Sequence, residues 1–432
     1  MKKYKISLLF FLFSGLHISA QNKLTIQQAI DIALQENLSI SLARTDFQMA
    51  KASNTYGNAG FMPSVSFLTS TARSSYNTKQ EFNTGVSLNR NNAISNSANA
   101  SLAVSWTVFD GMKMFATKDR LAQLESRSEV SLHAEIENTV AKITLLYYDA
   151  VKQQQLIHAG KEALTIYEER EKIAKKKLEI GSGSKLDLLQ ARLDLNAQKS
   201  LLMKLNLAFE NAIVALNLIL TKQADSKFTV EENINIDTTL DLNGIQRNAM
   251  KDNAQLKLAN NAILIANDQI KEMKSTTLPQ VGVNLNYNLS QTKNQVGLIL
   301  LNQNKGFNGG INISMNLFNG FKTQTQVKIA EYTLTQSTQQ LNYVSSVMAT
   351  SILTSWKSYK NALAILNLEE ENISIARENV TVALERFRIG SSNTLELLMA
   401  QRSFEDAISR LVVARYDAKL AEAELLRLQG KW

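Results

Sequence analysis

The chain repeats itself. Its only two prolines, Pro63 and Pro279, stand in matching contexts, Phe61-Met62-Pro63-Ser64-Val65 and Thr277-Leu278-Pro279-Gln280-Val281. Val108-Phe109-Asp110-Gly111 recurs as Leu317-Phe318-Asn319-Gly320, and Glu179-Ile180-Gly181-Ser182 recurs as Arg388-Ile389-Gly390-Ser391. The offset is 216 at the prolines and 209 at both later motifs, so seven residues are missing from the second copy between them. A tandem duplication constrains a fold more than any composition does, because each copy must build the same elements in the same order.

Each copy reads in one order. A helical stretch comes first, Thr25 to Gly60 and roughly Leu242 to Thr276. Two strand-like segments follow, at about 63–73 and 98–109, then at about 279–290 and 310–318. The polar stretches between them, Ser74 to Ser97 and Gln291 to Gly309, read as surface loops. A long helix is expected over 112–180 and 321–389, and a return helix over 185–221 and 395–429. The first repeat is set at 21–228 and the second at 229–432.

The strands alternate. Val281, Val283, Leu285, Tyr287 and Leu289 are separated by Gly282, Asn284, Asn286 and Asn288. Ile311, Ile313 and Met315 alternate with Asn312, Ser314 and Asn316, and Leu102, Val104 and Trp106 with Ala103, Ser105 and Thr107. Period-two alternation gives one apolar and one polar face. Segments near the 9–11 residues a tilted membrane strand needs, with a polar face of Asn and Ser, suit a sheet between lipid and a hydrated lumen. A soluble sheet packed on helices is the alternative. Four strands cannot close a barrel, and open edges are not tolerated in hydrocarbon, so strands that span require several copies.

The return helices carry a coiled-coil seam. Leu188, Ala191, Leu195, Gln198, Leu202, Leu205, Phe209, Ala212, Leu216 and Ile219 step alternately by 3 and 4, and the positions 209 further on are all apolar. A 69-residue helix reaches roughly 100 Å. Such hairpins have no compact core alone and are expected to pack side by side into a hollow cylinder.

Composition closes off other classes. Residues 1–20 have a basic start, an apolar run from Ile6 to Phe13 and a small-residue end at Ala20, the order of a secretory signal peptide. No further run of some 20 apolar residues is evident. There is no cysteine, which removes disulfides and thiolate chemistry. The net charge is +8, of which the leader's Lys2, Lys3 and Lys5 supply three, leaving +5 spread along the rest of the chain. No basic run with interleaved aromatics argues for nucleic acid. Beyond the leader only His133 and His158 occur, with no acidic cluster beside them, so no catalytic, cofactor or metal site is expected. Gly181-Ser182-Gly183-Ser184-Lys185 superficially looks like a phosphate loop, but it follows a helix and loses its lysine in the second copy.

Leu24-Thr25-Ile26-Gln27-Gln28-Ala29-Ile30-Asp31-Ile32-Ala33-Leu34 opens with a capping box. It resembles the start of the TolC-like outer membrane efflux proteins. The Leu-Pro-x-Val strand start, the Phe-Asx-Gly motif and the Gly-containing tip before Leu-x-Leu-Leu-x-Ala match that family too. The resemblance covers nearly all of the chain after the leader. It implies a mainly α mixed fold: a homotrimer whose four strands per subunit complete a 12-stranded β-barrel, continued by an α-helical barrel in the periplasm. It further implies outer-membrane lipid around the barrel and a periplasmic membrane-fusion adaptor at the helix tips Gly181, Ser182, Gly183, Ser184, Gly390, Ser391, Ser392 and Asn393. The inner-membrane partner would be an efflux pump of the RND type, or an ABC exporter if the channel serves type I protein secretion. Asp187 and Glu396 fall on the family's acidic constriction positions, while Met399 and Ser392 depart from a further acidic and a basic one. The local alternative for both acids is a first-turn charge facing the helix dipole. The alternative of another class is a soluble periplasmic coiled-coil scaffold.

Overall fold

The computed structural model describes residues 23–431, so the expected leader lies outside the described residues. The elements run β1 (Lys23–Leu24), α1 (Ile26–Glu36), α2 (Leu38–Ser53), β2 (Ser64–Glu81), β3 (Ser87–Phe109), α3 (Lys113–Glu179) and α4 (Lys185–Ile219) in the first half. The second half has β4 (Thr229–Val230), α5 (Leu242–Asp252), α6 (Ala254–Ser275), β5 (Gln280–Asn294), β6 (Leu301–Ser314), α7 (Lys322–Arg388) and α8 (Thr394–Leu428). The chain forms two compact units, and α3 and α7 supply residues to both.

One unit takes the described residues up to Ile40, Ile136–Ile245 and the chain from Ser351 on. It is helical apart from the parallel pair β1–β4, which joins Leu24 to Val230. The Tyr147 hydroxyl fixes that pair: it donates to Leu24 O at 2.9 Å and accepts from Glu231 N at 3.1 Å. The seam behaves as its period demands. Leu188, Ala191, Leu216 and Ile219 are buried in α4, and Leu397, Phe404, Leu411 and Leu425 in α8. Its one polar member, Gln198, is buried and donates to Gly160 O at 3.2 Å. By length and composition α4 is apolar enough to cross a bilayer. Its surplus lies outside the seam, in Leu193, Met203, Leu207 and Leu218, all exposed on the single chain.

The expected first helices are each two. α1 stops at Asn37, whose Oδ1 then accepts from Ser39 N and Ile40 N at 2.9 and 3.2 Å to start α2. In the second copy Asn253 does the same for α6, accepting from Gln255 N at 2.9 Å. The two asparagines are 216 residues apart, the offset of the prolines. A side chain that caps the next turn competes with helix continuation, so each helix breaks there.

The other unit, Ser41–Glu135 with Gln246–Thr350, holds a four-stranded antiparallel sheet in the order β2-β3-β5-β6. The central contact joins the two repeats, Leu102 opposite Tyr287. The segments expected as loops are mostly strand. β2 and β3 pair as far as Glu81 with Ser87, past one irregularity between Tyr76 and Thr78, and β5 and β6 as far as Lys293 with Leu301. β6 in turn ends at Ser314, short of the expected Phe318. Polar composition was misleading here because polar side chains bond across the ladder: the Ser95 hydroxyl donates to Asn294 Oδ1 at 2.7 Å, and Asn288 Nδ2 to Asn308 Oδ1 at 3.1 Å. Gly111, at φ +74, turns β3 into α3, where a Cβ would meet Ser275 O at 2.5 Å. Only glycine permits both the left-handed backbone and that approach.

Candidate functional site

The two helix-hairpin tips are built alike. α3 ends on Gly181 at φ +76, with Ser182 N donating to Lys177 O at 2.9 Å. α7 ends on Gly390 at φ +79, with Ser391 N donating to Arg386 O at 2.9 Å. A left-handed glycine that satisfies the last carbonyls is an efficient helix stop. The return helices then start on capping side chains. Ser184 Oγ accepts from Asp187 N at 3.0 Å, and Asn393 Oδ1 from Glu396 N at 2.9 Å. Asp187 and Glu396 are therefore first-turn acids of α4 and α8.

Asp187 also ties the tips together. Its Oδ2 accepts from the Ser184 hydroxyl at 2.7 Å and its Oδ1 from the Thr394 hydroxyl at 2.9 Å. These bonds, the Ser184 one foremost, hold its carboxyl below the usual carboxylate range and keep it ionised at neutral pH. Glu396 faces its own hairpin, paired with Arg386 and accepting from the Ser392 hydroxyl at 2.8 Å. Lys177 Nζ donates to Phe387 O at 2.6 Å and lies 4.2 Å over the Phe387 ring. Thr394 and Arg386 were not singled out from sequence. Arg386 had a signal: Lys177 and Arg386 are matching cations, each four residues before the tip glycine.

An open cleft of about 760 Å³ lies between the tips, bordered by Ile180, Asp187, Phe387, Ile389 and Leu395. Matched apolar side chains of the two tips face solvent: Ile180 at 77 % and Ile389 at 76 % exposure, Leu186 at 75 % and Leu395 at 63 %. Met399, where the family has an acid, is exposed as well.

Further from the tips, Arg170 is buried on α3. It donates to Asp194 Oδ2 of α4 at 2.9 Å and to Gln401 Oε1 of α8 at 3.3 Å. Glu405 and Tyr167 share a hydrogen bond in the same layer, and burial raises the pKa of both. His158 Nε2 sits 3.0 Å from Glu232, and His133 is exposed.

The family model described as outer membrane efflux protein matches residues 29–221 and 246–431, most of the chain in two segments. The chain belongs to the outer membrane efflux protein family. It is similar to the outer membrane efflux protein BepC of Brucella suis, 20 % identical over 75 % of this chain and 70 % of BepC. It is 20 % identical to the outer membrane protein TolC of Escherichia coli, over 75 % and 67 %. The toluene efflux pump outer membrane protein TtgC of Pseudomonas putida matches at 21 % over 94 % and 83 %. The fold is that of VceC from Vibrio cholerae, with a TM-score of 0.77 at 17 % identity over 94 % of this chain and 96 % of that one. It is likewise that of the Campylobacter jejuni outer membrane channel CmeC, with a TM-score of 0.77 over 94 % and 85 %. This family member is thus an outer-membrane channel protein and not an enzyme, which removes the soluble-scaffold alternative.

Proposed function

We propose that three copies of this chain form the exit duct of a tripartite efflux system. The observation that carries this reading is the sheet: four strands, one apolar face, and two open edges, β2 and β6. Unpaired backbone groups in hydrocarbon cost several kcal/mol each. Edge-to-edge pairing of β2 with β6 of a neighbour satisfies them and closes twelve strands in a trimer. The Asn and Ser face then lines a wet lumen. The exposed apolar residues on α4 find cover against neighbouring helices in a periplasmic helical barrel.

In this reading the tips meet a periplasmic membrane-fusion adaptor, through the exposed apolar side chains of Ile180, Leu186, Ile389 and Leu395. The adaptor leads to an inner-membrane pump of the RND type. TtgC is by its name part of a toluene efflux pump, which favours a small-molecule cargo. The channel contributes no bond-making step. Its work is to hold a continuous aqueous path, and Asp187 and Glu396 put negative charge at the entrance. An acidic ring at a constriction favours cations and disfavours anions.

Single-channel recording in a planar bilayer tests this. The trimer is expected to conduct steadily with a cation preference, and Asp187→Ala/Glu396→Ala to raise conductance and weaken that preference. A folded, inserted protein that never conducts, across a range of voltages and in the double variant, would refute the duct.

A further inference from the structure

Charge on the sheet is confined to one half. Over residues 64–109 and 280–314 the charged residues are Arg73, Lys79, Glu81, Arg90, Lys293 and Lys305. All lie toward the hairpin turns, away from the strand ends that join the helices. Lys79 is paired with Glu81 at 3.3 Å. Among the described residues Arg73, Lys293 and Lys305 have no acidic partner, and all three are exposed.

The register puts these three on the apolar face. Phe67, Leu102, Tyr287 and Phe307 are neighbours across the four strands. Two residues further toward the turns comes the row Thr69, Ala100, Leu289 and Lys305. Next is Thr71, Ala98, Gln291 and Gln303, and then Arg73, Asn96, Lys293 and Leu301. Val281 to Leu289 already supplies the 9 residues that cross the hydrocarbon. The cations therefore stand at its outer border, on two levels about 13 Å apart. Between them the small Thr69, Thr71, Ala98 and Ala100 leave two adjoining troughs, of about 560 Å³ beside Lys305 and about 350 Å³ beside Arg73 and Lys293.

Unpaired cations at a lipid border are satisfied by anions of the headgroup layer. We propose that these troughs bind the headgroup of an outer-leaflet lipid carrying two phosphates, one held by Arg73 and Lys293 and one by Lys305. Gln291 and Gln303 donate to the headgroup between them. The site rests on the reading above that the apolar face meets lipid and the helices lie in the periplasm, which puts the hairpin turns, at the strand ends away from the helices, on the outer side.

The purified trimer is incubated with diphosphoryl lipid A, monophosphoryl lipid A or phosphatidylcholine, and bound lipid is counted by native mass spectrometry. The wild type is expected to retain the diphosphoryl lipid at least ten-fold better than Arg73→Gln/Lys293→Gln/Lys305→Gln. A variant with equal charge removed from exposed helix positions, Lys51→Gln/Lys199→Gln/Lys204→Gln, is expected to retain it like the wild type. Equal retention by all three proteins, or equal loss in both variants, overturns the site. Inorganic phosphate bound with the same dependence on the three cations would replace the lipid by a free anion and overturn it too. Flotation with phosphatidylcholine vesicles separates the two readings. If the wild type does not float, the membrane-spanning sheet fails and the site with it. If all float and retention is equal, the site alone fails.

Discussion

Glu405 shows how a single residue can set the pH behaviour of the helical unit. Burial is the main cause of its raised pKa, opposed by the hydrogen bond from Tyr167 and reinforced by Asp406. An unfolded glutamate titrates near 4.3. A folded pKa above that value means the native state prefers the neutral acid. The stability tied to it is complete below about pH 4.3 and is lost as pH rises through the folded pKa. Glu405→Gln keeps a neutral partner for Tyr167 and removes the ionisation. The variant is expected to melt like the wild type near pH 4 and above it at pH 8, with the gap widening between. Melting curves across that range check it, and a gap that is constant or narrows with pH would refute the assignment. Residue-scale features of this kind were poorly legible in the sequence. Asp187 and Glu396 could be marked by position, but Thr394, Arg386 and the Arg170–Asp194–Gln401 layer arise where different helices meet, and no spacing along one helix reveals them.

At the scale of elements the repeat made much legible. The return helices followed from their apolar seam, and the long helices from the repeat order and the Gly-containing turns that end them. The strand extents did not, because Asn and Ser read as loop when they instead pair side chains across the strands on one polar face. The break of each first helix was missed although Asn37 and Asn253 repeat at the proline offset. Asn37 does more than cap: its Nδ2 donates to Ile219 O at 2.8 Å at the end of α4. Asn37→Ala removes the cap and leaves that buried carbonyl without its donor, at a cost of about 2 kcal/mol. A lowered melting temperature is expected, with amide exchange in the first turn of α2 speeding up most. Unchanged exchange at Ser39 and Ile40 would show that the asparagine does not hold the break.

At the scale of the whole molecule the remaining question is how the sheet closes. Within one chain β2 and β6 are separated by β3 and β5, three strand spacings or about 14 Å. A disulfide needs Cα atoms within about 7 Å, so cysteines placed on β2 and β6 cannot join within one copy. The natural chain has no cysteine, so no competing thiol confuses the result. Phe67→Cys combined in turn with Cys at Lys305, Phe307, Gly309, Ile311 or Ile313 scans the registers open to a neighbouring edge, all on the apolar face. If copies close edge to edge, one pairing is expected to oxidise readily to a covalent trimer on a non-reducing gel, with neighbouring registers weaker because a two-residue slip moves the partners some 7 Å apart. A ring of three returns to its start, so crosslinking must stop at the trimer. A ladder running past it would mean an open filament rather than a closed barrel, and monomers at every register would leave the edges unpaired and the twelve-stranded closure wrong.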